Sequence, residues 1–217
     1  MTTLTDRPHT ALVVIDVQND YFDGPLEIQY PPREDSLARI VSAMDVAAEH
    51  ELPVVVVRHE LPEGAPVFAT GSAGQALHPD VEKRTTDACK QVTKSNASVF
   101  SGTDVASWLA DKEVDCITLV GYMTNNCVIG TAAAAEDLGI AVEVLSDATG
   151  AINIVNDAGS ASAQQVHETL MALLNSNFAA VATTATWTGA VEQGQALTGS
   201  DLGTSAVQGR AAYGATP

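Results

Sequence analysis

Residues 116–139, CITLVGYMTNNCVIGTAAAAEDLG, join an apolar β-branched run, a short polar turn and an alanine-rich stretch. The first run is apolar almost throughout, as a strand covered on both faces of a sheet must be. Val128, Thr131, Ala132, Ala135 and Leu138 then recur at the three- and four-residue intervals of one helix face. Strand, turn and helix in this order are the first part of a βαβ unit, whose strands lie parallel.

The same alternation extends outward on both sides. ALVVID (11–16), PVVVVRH (53–59), ACKQVT (88–93), AVEVLSD (141–147) and FAAVATT (178–184) read as further strands. Between them Leu37, Ile40, Val41 and Met44 keep helical spacing, as do Val166, Leu170, Leu173 and Leu174. Ser162 with Gln165, and Ser101 with Asp104, carry capping-box patterns at two helix starts. The fold class is therefore α/β with a parallel sheet. Two stretches interrupt the rhythm. Residues 60–82 have little periodicity, and a loop that long inside a compact domain reads as a lid or pocket wall. Residues 189–217 are rich in Gly, Ala, Ser and Thr and read as a C-terminal tail behind a domain over 1–188.

A chain of 217 residues can bury a sheet on both faces, and with 46% apolar but only 5% aromatic residues its core is mostly aliphatic. The net charge of -17 argues against nucleic acid or an anionic membrane as partner. Three cysteines, Cys89, Cys116 and Cys127, are too few for a disulfide framework, and the first two fall in strand runs that read as core. No signal peptide pattern opens the sequence and no apolar run approaches the length of a membrane helix, so a cytoplasmic protein with reduced thiols is expected.

Cys127 stands where the helix after 116–122 should begin. A thiol there meets the positive end of the helix dipole, which favours thiolate and predicts alkylation ahead of Cys89 and Cys116. Asp16 and Lys94 each follow a strand run, and in an open parallel sheet the strand C-termini share one edge, where ligands bind. Carboxylate, ammonium and thiol would then face one cleft. Each also has a plainer reading: a buried apolar cysteine, a turn-capping acid and a solvated lysine.

Three segments in order resemble the isochorismatase-like cysteine hydrolases, which include nicotinamidases and N-carbamoylsarcosine amidases. ALVVIDVQNDYF is similar to the family's first-strand motif with its catalytic Asp, here Asp16. KSNASVFSGTDVASWL is similar to the lysine motif, with Lys94, and GYMTNNCVIGTAAAAEDLG to the nucleophile motif, with Cys127. With DATGAINIVNDAG, the last segment also resembles the branch of streptothricin hydrolase.

The resemblance implies a three-layer α/β/α fold with a six-stranded parallel sheet and an Asp16, Lys94, Cys127 triad. It also implies a cis peptide at Tyr122–Met123, with the Met123 and Cys127 N–H groups forming an oxyanion hole. The expected activity is hydrolysis of a small amide, lactam, carbamoyl or ureido compound through a thioester. Phe22, His59 and Tyr122 are the candidate substrate-binding residues. Two alternatives stand beside it: a vinyl ether hydrolase of the isochorismatase type, which needs no thiol, and a catalytically silent binding or scaffold protein. Nicotinamidases of the family hold a divalent metal through an Asp and histidines after the second strand. Here that region offers His59, Glu60 and later His78 without the Asp-x-His spacing, so neither metal nor other cofactor is expected. The partners expected are the small-molecule substrate and further copies of the chain, as a homodimer or homotetramer.

Overall fold

The computed structural model describes residues 8–214. In chain order the elements are β1 (Thr10–Ile15), α1 (Arg33–Glu49), β2 (Val54–His59), α2 (Pro79–Glu82), β3 (Lys90–Lys94), α3 (Val105–Asp111), β4 (Cys116–Tyr122), α4 (Ile129–Asp137), β5 (Ala141–Gly150), β6 (Ile154–Asn156), β7 (Gly159–Ala161), α5 (Ala163–Leu173), β8 (Ala180–Ala182), α6 (Thr184–Glu192) and α7 (Leu202–Tyr213). Six strands make one parallel sheet in the order β3-β2-β1-β4-β5-β8, and β6 and β7 form a separate antiparallel hairpin.

Alternation along the strands builds a core on each face. Leu12, Val14 and Val56 meet Ile40 and Met44 of α1 and Trp187 of α6. Val13, Ile15, Val55 and Val57 meet Leu109 of α3, Ala132 and Ala135 of α4 and Met171 of α5. The fold is thus the expected three-layer α/β/α arrangement. No helix among the described residues is long and apolar enough to cross a membrane.

Strand order reverses between β1 and β4, so the ends of these two neighbours flank the crevice where such sheets bind ligands. One glycine lets them approach. Gly121 pairs with Ile15 and has φ +103°, and a Cβ on it would stand 2.1 Å from the Ile15 carbonyl oxygen. No side chain fits, and the turns after β1 and β4 are drawn together.

Several local expectations change. Lys90 is the first residue of β3, which leaves Cys89 half-buried in the preceding turn, its N–H donating to the Thr86 carbonyl, rather than in a core strand. The Ser162–Gln165 capping box forms at α5. The Ser101–Asp104 box does not: Asp104 is itself the N-cap of α3, and its carboxylate takes the Lys90 ammonium at 2.6 Å. Beyond residue 188, α6 continues to Glu192 with Val191 buried. The small-residue stretch then folds into α7, started by Asp201, whose carboxylate accepts the Thr204 N–H at 2.9 Å. None of the α7 side chains is buried.

Candidate active site

Four strand ends supply the site. Asp16 follows β1, His59 ends β2, Lys94 ends β3, and Cys127 lies in a π-helical turn, Thr124–Val128, that runs from β4 into α4. His59 and Lys94 are register partners across β2 and β3. Asp16, Lys94 and Cys127 are 0%, 3% and 1% exposed, so all three groups are closed off from bulk water.

The Lys94 ammonium is the centre of the arrangement. Its Nζ donates to Asp16 Oδ2 at 2.6 Å and to Cys127 Sγ at 3.2 Å, and it lies 3.0 Å from His59 Nδ1. Burial and the adjacent ammonium push His59 down to about 4, so its ring is neutral and Nδ1 accepts from Lys94. An ammonium has three N–H donors, and all three are used.

Asp16 has φ +50°, a left-handed conformation uncommon outside glycine, which turns its carboxylate toward Lys94. Burial raises its carboxyl above the ordinary range, against the lowering effect of Lys94. Its Oδ1 is buried with no hydrogen-bond partner among the described residues. That oxygen is a vacant proton acceptor.

The thiol departs from expectation. Burial first, and then the Asp16 carboxylate, push Cys127 up to about 12, with Lys94 opposing them. The effect of a helix start on a half-solvated thiol does not carry over to one that is fully enclosed. The resting state is therefore thiol, ammonium and carboxylate. Asp16, His59 and Cys127 present ligand atoms all within 4.8 Å of one another, so the thiol proton has a short path to the carboxylate.

This trio is the only group of three His, Cys, Asp or Glu among the described residues close enough to hold a metal, and the Lys94 ammonium already bonds all three. The other candidate ligands are also engaged. His78 Nδ1 accepts the Asp80 N–H at 3.2 Å, and Glu60 Oε2 accepts from Gln75 at 3.1 Å. The Asp-x-His pair of the nicotinamidase metal set has no counterpart here, since Val57 stands two residues before His59.

Of the candidate substrate-binding residues, His59 reaches the triad. Tyr122 is fully buried with its hydroxyl 2.8 Å from Ser36 of α1, and Phe22 packs edge-on against it, so both belong to the aromatic core rather than to an exposed binding surface. Tyr122–Met123 is cis, as the resemblance implies.

Sequence reading missed the residues that position these groups. Gln18, fully buried, receives the His59 N–H at 2.7 Å and donates to the His59 carbonyl at 2.9 Å and the Gln75 carbonyl at 2.7 Å, which ties the end of β2 to the 60–82 loop. Asp20 Oδ2 accepts the Phe68 N–H at 2.6 Å and so holds the Phe68 ring against His59, with centroids 5.3 Å apart. Phe68 is the only Phe, Tyr or Trp in that loop, a signal that could have singled it out. Behind the Thr124–Val128 turn, buried His167 of α5 donates from Nε2 to the Ser146 carbonyl at 3.0 Å. Its Nδ1 accepts the Thr124 hydroxyl at 2.9 Å.

Both histidines titrate below their ordinary value, since burial also lowers His167. Between 6.5 and about 4 the unfolded chain binds protons that folded His59 refuses, so stability is full above that window and falls with pH through it. The slope is about 1.4 kcal/mol per pH unit for each such proton. Asp16, with its raised carboxyl, acts in the opposite sense. Urea unfolding from pH 7 to pH 4 is expected to show the loss, and His59→Asn to flatten it; an unchanged slope in the variant would contradict a neutral buried His59.

An open parallel sheet with a thiol, a lysine and an aspartate gathered at its switch point has the layout of a hydrolase site. Residues 10–186 match the isochorismatase domain, and the chain belongs to the isochorismatase-like cysteine hydrolase family. It is similar to the crystal structure of an isochorismatase candidate from Burkholderia xenovorans LB400, with TM-score 0.93 and 45% identity over 96% of this chain and 100% of that one. The uncharacterized isochorismatase family protein YddQ of Bacillus subtilis is 30% identical over 81% of this chain and 96% of its own. The nicotinamidase/pyrazinamidase of Mycobacterium tuberculosis is 28% identical over 66% of this chain and 87% of its own.

Proposed function

We propose that this hydrolase cleaves the C–N bond of a small amide, lactam, carbamoyl or ureido compound through a thioester on Cys127. The observation that carries the reading is Lys94 Nζ bonded at once to Asp16 Oδ2 and Cys127 Sγ, with Asp16 Oδ1 left open in a buried site. As a substrate carbonyl approaches the sulfur, the thiol proton passes to Asp16, and Lys94 stays beside both groups as charge moves from carboxylate to sulfur. The sulfur attacks the carbonyl carbon. The Met123 and Cys127 N–H groups receive the oxyanion, an effect of about 3–4 kcal/mol per donor in comparable sites. Asp16 returns its proton to the departing nitrogen, amine or ammonia leaves, and water cleaves the thioester with Asp16 again taking a proton. No step needs a metal. The relative named for amide hydrolysis, the nicotinamidase/pyrazinamidase, supports a C–N substrate. Three reduced cysteines suit a cytoplasmic protein, and a homo-oligomer remains the assembly we favour.

The test is a screen of small amides, lactams and ureido compounds for released ammonia or amine, with intact-protein mass recorded during turnover. Release accompanied by an acyl increment on Cys127 is the expected result. If no C–N compound turns over while a vinyl ether is hydrolysed without any adduct, the vinyl ether reading takes its place.

A further inference from the structure

We infer that the substrate of this site is uncharged, and that compounds bearing a carboxylate or phosphate within a few bonds of the reacting carbonyl are rejected. The inference rests on the reading of Cys127 as nucleophile and deepens it.

The argument is one of charge balance in a closed space. At rest the triad holds carboxylate, ammonium and thiol; once the proton has moved it holds carboxylic acid, ammonium and thiolate. Both states are neutral overall. His59, at about 4, adds no positive charge at physiological pH. An anionic substrate would therefore leave one uncompensated negative charge among groups that are 0–3% exposed, and the oxyanion formed during attack, which takes over the charge of the thiolate, would form beside it.

The cations on β2, on β3 and in the segment leading into β3 are already engaged. The three donors of Lys94 are taken by Asp16, Cys127 and His59. Arg58, the neighbour of His59 on β2, bonds Gln91 at 3.2 Å on the exposed side of the sheet edge. Lys90 lies at the start of β3 and bonds Asp104, and Arg84 is held in two contacts by Asp45. Near the triad the further charge is negative: Asp20, buried and bonded to the Phe68 N–H. Tyr21, Phe22, Phe68 and Tyr122 pack on one another as a buried aromatic cluster that touches His59 through Phe68. Apolar surroundings of this kind favour a neutral amide over an anionic one.

Two aldehydes of equal chain length test this without knowledge of the substrate. Butanal and succinic semialdehyde differ at the far end, methyl against carboxylate. Each can add the Cys127 thiol across its carbonyl: the S–C bond forms, the carbonyl π pair moves to oxygen, and the thiol proton reaches that oxygen through Asp16. The thiohemiacetal of the carbonyl-labelled aldehyde has its own carbon resonance, and Cys127→Ala defines the background. After correction for hydration of each aldehyde, butanal is expected to bind at least roughly 30-fold more tightly than succinic semialdehyde, from unscreened repulsion at short range. The ratio should persist in 0.5 M NaCl, roughly, because screening acts on the surface charge and not inside the site. Equal binding, or tighter binding of the anion, overturns the inference alone. An adduct from neither aldehyde overturns the nucleophile reading and the inference with it.

Discussion

Cys127→Ala is expected to lower kcat on the true substrate by at least about 10⁴-fold, since nucleophile deletions in hydrolases cost about that or more and leave only binding and oxyanion stabilisation. KM should change little, because the sulfur contributes to the bonds being made and little to ground-state contact. The protein should stay folded. The thiol is 1% exposed and packs into the core under α4, and it also accepts from Lys94, so the substitution is not free: a loss of about 1–2 kcal/mol is expected for a small vacancy and a missing acceptor. Denaturant unfolding and steady-state kinetics on one preparation separate the two effects. A variant that unfolds like the wild type and still turns over amide at a comparable rate would remove thioester catalysis from consideration.

Lys94→Met is expected to damage both fold and chemistry. Removing one member of a buried ion pair costs about 3–5 kcal/mol when the other stays charged. Asp16 has an escape, since its carboxyl is already raised and, without the ammonium that lowers it, rises further and takes up a proton more readily. The stability loss should therefore fall toward the lower end of that range. The chemical loss should be large, because a protonated Asp16 accepts nothing from the thiol. The sign with pH follows: residual activity of the variant should climb as pH rises and Asp16 ionises, with its acid limb displaced upward from that of the wild type. A pH profile of kcat/KM for both proteins checks this, and superimposable acid limbs would show that Lys94 does not govern Asp16.

The sheet and the triad could be read from sequence because each rests on a local signal. Near-continuous apolar runs mark strands covered on both sides, and an acid, a lysine and a cysteine at the ends of such runs must meet if the strands are parallel. What supports the triad was not legible. Gln18 and Asp20 look like ordinary turn residues, and their roles depend on loop 60–82 folding back 40 to 60 positions later in the chain. His167 stands three residues before Leu170 and seven before Leu174, on the packed face of α5, but that spacing does not name its partners, Thr124 and Ser146. Glu143 sits inside an apolar strand as a buried acid that accepts from Thr118 and Trp187. The state of the thiol was misjudged for a related reason: sequence locates a helix start, while protonation depends on how completely the folded chain shuts out water.

That closure has a bearing on survival under oxidative stress. Peroxide attacks thiolates, and the route from sulfenic to sulfinic acid begins with that attack. Cys127, held at about 12, carries almost no thiolate while the protein is idle and lies where hydrogen peroxide must displace packed atoms to reach it. Cys89, half-buried in the turn before β3, is the more accessible sulfur and meets oxidant first. On the proposed mechanism the fold thus keeps Cys127 in a dormant form, and the reactive species arises only with a carbonyl already in place.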